Sequence, residues 1–214
     1  MKKTIQRVLA AVILFAMILS GGFSEVGKVH AEKQQGTTKR AIYVVFDNSG
    51  SMYGDGNKAW SQATYAMEVF AAMMNYESGD VMKVFPMHDI TTDGNTGSAT
   101  KSSMEIRGKD DIAQIHNMYT PKPGGTPYTQ VNNAAGELTK LLNAGSVDEG
   151  WLVVLTDGDF DNDIPASGLK ADLEGKAAAN ENLYVQYLAI GTDVKNIPEG
   201  NADKGLYAQK AGNT

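Results

Sequence analysis

The fold is decided by residues 41–51, which read AIYVVFDNSGS. The first six residues are all apolar and mostly β-branched or aromatic. Such an uninterrupted run is typical of a strand in a parallel sheet that is covered on both faces. The run closes at Asp47, and the four residues that follow are small and polar. The stretch therefore predicts a buried strand that ends in an oxygen-rich turn, and ligands of open α/β sheets bind beyond such strand ends.

A second stretch of the same kind is Trp151–Leu155, which runs into Thr156, Asp157 and Gly158. Elsewhere, apolar residues recur at intervals of three and four in some segments and form short continuous runs in others. We expect helices near 58–75, 110–118, 131–142 and 166–180, and further strands near 81–85, 104–107, 183–190 and 206–211. This alternation predicts an α/β fold, a three-layer sandwich whose mainly parallel central sheet is flanked by helices in a Rossmann-like manner.

The first 31 residues are predicted to be a cleaved signal peptide. Basic residues precede the apolar run Val8–Leu19, and residues 29–31 offer the small side chains that a signal peptidase reads. An uncleaved membrane anchor is the alternative, but the run of twelve residues is shorter than the roughly 20 needed to span a bilayer. Residues 32–39 are expected to be a flexible lead-in, and residues 40–214 a single domain.

Composition limits the classes of function. The chain has 214 residues, of which 42% are hydrophobic and 21% charged, which suits one soluble domain. It has no Cys, which excludes disulfides, zinc-thiolate sites and a Cys nucleophile. Its formal net charge of −6 argues against a nucleic-acid partner. An exported chain without Cys is typical of a Gram-positive type of bacterium. We therefore expect a secreted or cell-surface protein with no membrane insertion after signal cleavage.

Oxygen-bearing side chains follow both central strands. Asp47, Ser49 and Ser51 occupy alternate positions of one turn, and Asp157 follows the other strand. Thr126, in a tight Gly-Gly-Thr-Pro loop before a helix, adds a third hydroxyl. Two carboxylates and three hydroxyls are hard ligands that suit Mg²⁺, Mn²⁺ or Ca²⁺ better than softer metals. We therefore predict that these five residues form a divalent metal site.

These residues carry a resemblance to a known family. Asp47, Ser49 and Ser51 resemble the D-x-S-x-S motif of the metal-ion-dependent adhesion site (MIDAS) of von Willebrand factor type A (VWA) domains. The loop at 124–127 and the Thr-Asp-Gly turn at 156–158 follow in the family's order. The resemblance covers about residues 40–191. Only 23 residues follow Gly191, too few for the C-terminal helix that such domains usually add, which leaves open a truncation of the domain at Thr214.

The resemblance also implies roles for the five residues. Ser49, Ser51 and Thr126 would contact Mg²⁺ through their hydroxyls, while Asp47 and Asp157 would hold it directly or through water. A protein ligand would complete the coordination with the carboxylate of an Asp or Glu. The family thus implies a VWA-type fold and metal-dependent adhesion.

Each motif also has a simpler explanation. An Asp-x-Ser-x-Ser sequence alone is usually a turn whose side chains bond their own backbone, and Thr126 and Asp157 are residue types that often cap helices or lie in loops. An EF-hand starting at Asp157 would need Gly and Glu where Asn162 and Gly168 stand. A phosphatase of the haloacid dehalogenase type would need its acid-base Asp at Ser49. A serine esterase would need a nucleophile elbow and a His partner.

We expect an exported, metal-dependent adhesion or protein-interaction module that is not an enzyme. One alternative is a scaffolding subunit of a secreted or surface complex. Another is a metal-dependent phosphate-ester hydrolase, but no general base or nucleophile is evident beside the predicted site.

Overall fold

A computed structural model of the protein describes residues 38–87, 103–118, 126–157, 160, 164, 166–190, 200 and 206–211; of residues 54–58, 109, 116–118, 166–167 and 206–211 it describes the backbone. The predicted signal peptide and most of the lead-in lie outside these ranges, as do both glycines of the loop before Pro127. Within the described ranges, no helix combines the length and the apolar character that crossing a membrane requires.

The described residues form six strands and four α-helices. The strands are β1 (Arg40–Phe46), β2 (Val81–Pro86), β3 (Met104–Ile106), β4 (Glu149–Thr156), β5 (Leu183–Ile190) and β6 (Leu206–Ala211). The helices are α1 (Gly54–Met73), α2 (Lys109–Met118), α3 (Thr129–Asn143) and α4 (Ala166–Ala178). Short 3-10 turns lie at Gly50–Tyr53 and Tyr76–Ser78. Every predicted strand and helix has a counterpart in the structure.

The six strands form one sheet in the order β3-β2-β1-β4-β5-β6. β1 pairs in parallel with β2 on one side and with β4 on the other, and β4, β5 and β6 continue the parallel pairing. β3 is antiparallel to β2 at the edge. Because β1 has a neighbour on each side and helices above and below, its uninterrupted apolar sequence is buried throughout. The register pairs Phe46 with Leu155, so β1 and β4 end side by side.

Successive side chains of each strand enter two different cores, because they point to opposite faces of the sheet. On one face, α3 and α4 pack against a core that includes Tyr43, Val45, Val131, Leu138, Leu152, Leu173 and Tyr187. On the other face, α1 and α2 pack against a core that includes Ile42, Phe46, Trp60, Met67, Phe70, Ile115 and Leu155. The predicted three-layer α/β sandwich with a mainly parallel sheet is confirmed.

Some helix boundaries differ from those predicted. α1 begins at Gly54 instead of Lys58, because the 3-10 turn Gly50–Tyr53 runs directly into it. Its first turn contains glycines, which are poor helix formers, and the apolar spacing begins only at Ala59. The helix also ends at Met73, two residues early, and α4 likewise ends two residues before the predicted position. Such shifts at frayed ends leave the architecture unchanged.

The amino end of β1 is tied to the neighbouring elements by Asp80. The buried carboxylate of Asp80 accepts hydrogen bonds from the backbone amides of Arg40, at 3.2 Å, and Asn75, at 3.1 Å. The Arg40 guanidinium lies 3.4 Å from the same carboxylate. The preceding Gly79 has a φ of 96°, a left-handed conformation that glycine adopts without steric cost. One carboxylate thus joins the start of β1 to the turn between α1 and β2.

Candidate metal site

The candidate site forms where β1 and β4 end next to each other. Beyond Phe46, the backbone amide of Asp47 still donates to the carbonyl of Leu155, at 2.9 Å. This bond continues the parallel pairing by one residue and places Asp47 beside Thr156. The turn that follows Asp47 therefore faces the turn that follows Thr156. This pairing brings Asp47 and Leu155, which are 108 positions apart in the sequence, to the same edge of the sheet.

Asp47 lies at the base of the site and is fully buried. One of its carboxylate oxygens, Oδ1, accepts a hydrogen bond from the backbone amide of Ser49, at 2.8 Å. The other, Oδ2, accepts one from the hydroxyl of Thr156, at 2.6 Å. Both oxygens are thus engaged by protein donors, as a buried carboxylate requires. The first bond closes a tight turn of the chain and the second joins β1 to β4.

A chain of oxygen atoms leads from the Ser49 hydroxyl towards solvent. The Oγ atoms of Ser49 and Ser51 lie 3.0 Å apart, and the hydroxyl of Ser51 donates to Oδ1 of Asp157 at 2.9 Å. Ser49 is buried, Asp157 is half-buried and Ser51 is exposed. The site is therefore open on the side of Ser51 and Asp157 and closed on the side of Asp47.

The spacing of these oxygens suits a small hard cation. In an octahedral Mg²⁺ site with metal–oxygen distances of about 2.0–2.1 Å, neighbouring ligand oxygens lie about 2.8–3.0 Å apart. The Ser49–Ser51 distance of 3.0 Å and the Ser51–Asp157 distance of 2.9 Å agree with that spacing. Hydroxyls and carboxylates are also the ligand types that such ions select. The donor set therefore fits Mg²⁺ in its chemistry, while the two distances are also those of ordinary O–H···O hydrogen bonds.

Thr126 is the one predicted ligand that no hydrogen bond among the described residues joins to the other four. It is 5% exposed and lies just before Pro127 and Tyr128, at the start of α3. Tyr128 is fully buried, and its carbonyl accepts the first hydrogen bonds of the helix from the amides of Val131, at 3.0 Å, and Asn132, at 3.4 Å. The start of α3 therefore fixes the chain immediately after Thr126.

Two residues of the site were not predicted as ligands or supports. The sequence places Thr156 in a polar turn only, yet its hydroxyl donates a hydrogen bond to the Asp47 carboxylate. No motif marks this role, because it depends on β4 being the direct neighbour of β1. The second residue is Tyr53, which ends the 3-10 turn after Ser51.

Tyr53 is part of an aromatic wall beside the site. Its ring stacks on Trp60 at a centroid distance of 4.6 Å, and Trp60 contacts Phe46 at 4.7 Å. Burial, and secondarily the negative charge of Asp47, raises the pKa of the Tyr53 hydroxyl far above its usual value of 10. The hydroxyl therefore stays protonated and neutral. Because Phe46 directly precedes Asp47, these three rings pack next to the buried end of the site.

The residues on which the EF-hand, phosphatase and esterase interpretations depend lie largely outside the described part of the chain. Within the described part of the chain, no group of three or more His, Cys, Asp or Glu side chains is placed to hold a metal ion. The candidate site itself has only two carboxylates, and its other oxygens are hydroxyls. The side chains of His88 and His116 and the acidic residues at 159, 161 and 163 are not described. The EF-hand, phosphatase and esterase interpretations therefore gain nothing from the structure.

No family model matches the sequence, and no curated protein is significantly similar to it. Among solved structures, the fold is similar to that of the manganese-loaded TRAP protein of Plasmodium vivax, with 16% sequence identity and a TM-score of 0.45. The similarity covers 75% of this chain and 60% of the TRAP chain, so this chain spans less than two thirds of that protein's length. A likeness of this degree carries no argument about binding or activity.

Proposed function

We propose that this protein is a metal-dependent binding module that holds Mg²⁺ at Asp47, Ser49, Ser51, Thr126 and Asp157 and uses it to bind a carboxylate of a protein partner. One observation carries the proposal. The oxygens of Ser49, Ser51 and Asp157 form a continuous chain at contact distances of 3.0 and 2.9 Å, open to solvent at one end and backed by the buried Asp47. Mn²⁺ and Ca²⁺ are the alternative ions.

The distribution of charge supports a role in binding. Hydroxyl ligands are neutral, and the charge of Asp47 is already shared with the amide of Ser49 and the hydroxyl of Thr156. A cation held mainly by neutral oxygens keeps more of its positive charge than one held by several carboxylates. Such a cation attracts an anionic oxygen from outside the protein. An Asp or Glu side chain of a partner is the ligand that this chemistry favours.

The location of the protein is proposed from its first 31 residues. A cleaved export signal would place the module outside the cell, as a secreted or surface protein of a Gram-positive type of bacterium. We favour adhesion or protein interaction over a scaffolding role within a surface complex. We favour binding over metal-dependent hydrolysis, because the proposal assigns Ser51 and Asp157, the hydroxyl and carboxylate at the open end of the site, to the metal.

Thermal unfolding in the presence and absence of Mg²⁺ tests the metal site. A ligand bound only by the folded state stabilises it by about 2.7 kcal/mol at a hundredfold excess over its dissociation constant. We therefore expect Mg²⁺ or Mn²⁺ to raise the melting temperature, and Ser51→Ala and Asp157→Ala to abolish the rise. Ser61→Ala and Asp110→Ala, at exposed positions on α1 and α2, are matched controls that should keep it. The absence of any metal-dependent rise in the unmutated protein would contradict the proposal.

A further inference from the structure

Two helices are connected behind the candidate site by the side chain of Tyr128. This residue directly precedes α3 and is 0% exposed. Its hydroxyl donates to Oδ2 of Asp172 on α4, at 2.8 Å. The two residues are 44 positions apart, so the bond fixes the start of α3 relative to α4.

A lysine strengthens the same connection. Lys176, one turn after Asp172 on α4, lies 3.2 Å from the Asp172 carboxylate and 5.6 Å from the centre of the Tyr128 ring. The Lys176 ammonium also donates to the side chain of Asn132 on α3, at 2.6 Å. The Lys176 ammonium thus holds the Asp172 carboxylate, which accepts a hydrogen bond from the Tyr128 hydroxyl.

The ring of Tyr128 also contacts the chain that follows Asp157. Phe160, three residues after Asp157, packs edge-on against Tyr128 at a centroid distance of 4.8 Å. Phe160 in turn contacts Tyr187 of β5, at 6.3 Å. Tyr128 therefore contacts Phe160 with its ring, while its own backbone lies two residues from Thr126.

We propose that Tyr128 is a positioning residue, whose hydrogen bond to Asp172 sets the place of Thr126 relative to Asp157 and so makes the site prefer Mg²⁺ to Ca²⁺. The inference rests on the proposed metal site. Mg²⁺ demands near-ideal octahedral geometry at about 2.0–2.1 Å, whereas Ca²⁺ accepts longer bonds and irregular geometry. A looser Thr126 loop therefore weakens Mg²⁺ binding more than Ca²⁺ binding.

The test is the affinity of the full chain for each metal alone, measured by titration calorimetry on the unmutated protein and on matched variants. Supporting groups that orient metal ligands typically contribute about 10- to 100-fold in affinity. We expect Tyr128→Phe and Asp172→Ala each to weaken Mg²⁺ binding about tenfold or more and Ca²⁺ binding about threefold or less. Because both variants break the same bond, combining them should cost little more than either alone.

Two further variants separate positioning from general stability. Asp172→Asn keeps an oxygen that can accept a hydrogen bond from the Tyr128 hydroxyl. This variant should therefore retain most of the preference for Mg²⁺. Tyr187→Phe removes a hydroxyl from another buried tyrosine of the same aromatic cluster. Tyr187 lies on β5, away in sequence from both Thr126 and Asp157. The Tyr187→Phe variant should leave the ratio of the two affinities unchanged even if the melting temperature falls.

The possible outcomes are distinct. An unmutated protein that binds neither metal overturns the proposed function and this inference with it. An unmutated protein that binds Mg²⁺, together with an unchanged affinity ratio in Tyr128→Phe and Asp172→Ala, overturns the positioning role alone. A fall in the ratio that is equally large in Tyr187→Phe also overturns it, because any buried hydroxyl of the cluster would then have the same effect.

Discussion

The hydroxyl of Thr156 donates to Oδ2 of Asp47 over 2.6 Å, and this bond joins the ends of the two central strands inside a fully buried environment. It sets the orientation of a carboxylate whose other oxygen accepts the amide of Ser49. The turn that carries Ser49 and Ser51 is thus attached to β4 through Asp47. Asp157 directly follows the last residue of β4. The relative position of the predicted ligands therefore depends on a residue that is not itself a predicted ligand.

Replacement of Thr156 by valine keeps the shape of the side chain and removes the donor. One oxygen of Asp47 then lacks its partner in a buried site, which costs about 1–3 kcal/mol. We expect Thr156→Val to lower the free energy of unfolding by that amount without metal and to weaken Mg²⁺ binding. Urea denaturation and metal titration measure the two effects. Thr156→Ser keeps the hydroxyl and should lose less in both, and equal losses in the two variants would point to packing as the cause.

Partner binding should depend on the metal and on Thr126. We expect a purified partner to dissociate in EDTA and to rebind with Mg²⁺ or Mn²⁺. Thr126→Ala should abolish binding while the fold survives, since most single substitutions cost only about 0.5–3 kcal/mol. Surface plasmon resonance with and without EDTA measures this. Equal binding in EDTA would place the partner on another surface and leave the metal a structural role.

The mature protein should begin at Glu32, because the basic, apolar and small-residue regions of the leader end at Ala31. Intact-mass spectrometry of the protein exported by its natural host or a related bacterium tests this expectation. Recovery of the chain with Met1 in the membrane fraction would favour the uncleaved anchor instead.

The stability of the fold should fall at alkaline pH. Burial, aided by nearby carboxylates, raises the pKa of Tyr43 and of Tyr76 to about 12. In the unfolded chain these groups titrate near pH 10, so between about pH 10 and 12 the unfolded state releases protons that the folded state keeps. The stability that these two buried hydroxyls contribute is complete below about pH 10. It is lost as the pH rises through about 12.

Chemical denaturation at about pH 9 and about pH 11 measures that loss. In Tyr43→Phe the free energy of unfolding should fall less steeply between the two pH values, because one of the contributing hydroxyls is removed. Tyr65→Phe is the matched control, since Tyr65 is 54% exposed and its removal should leave the slope unchanged. A slope that is equally steep in Tyr43→Phe would assign the loss to other groups.

Asp80 should contribute to the stability of the fold but not to metal binding. Asp80→Ala removes the acceptor of two backbone amides and the carboxylate beside the Arg40 guanidinium, and we expect a loss of about 2–3 kcal/mol in the free energy of unfolding. Asp80→Asn keeps one acceptor oxygen and should lose less. Because Asp80 lies near the amino end of β1, both variants should keep the Mg²⁺-dependent rise in melting temperature. Loss of that rise would mean that the two ends of β1 are coupled.

The sequence by itself determined the strands and helices of this protein. It also determined four of the residues that meet at the candidate site. Residues 41–46 and 151–155 are uninterrupted apolar runs, and such runs are stable as strands only when both faces of a sheet are covered. The position of Asp47, Ser49, Ser51 and Asp157 at strand ends followed from the same local patterns. These signals are readable because periodicity and turn composition are properties of neighbouring residues.

Only the tertiary structure decided which strands are neighbours and which side chains meet. No local pattern states that β4, rather than β5, lies beside β1, so the bond between Thr156 and Asp47 could not be predicted. The bond between Tyr128 and Asp172 likewise depends on how α3 and α4 pack on one face of the sheet. Such contacts arise from the simultaneous burial of several apolar faces, and that choice is made by the whole chain and not by any one segment.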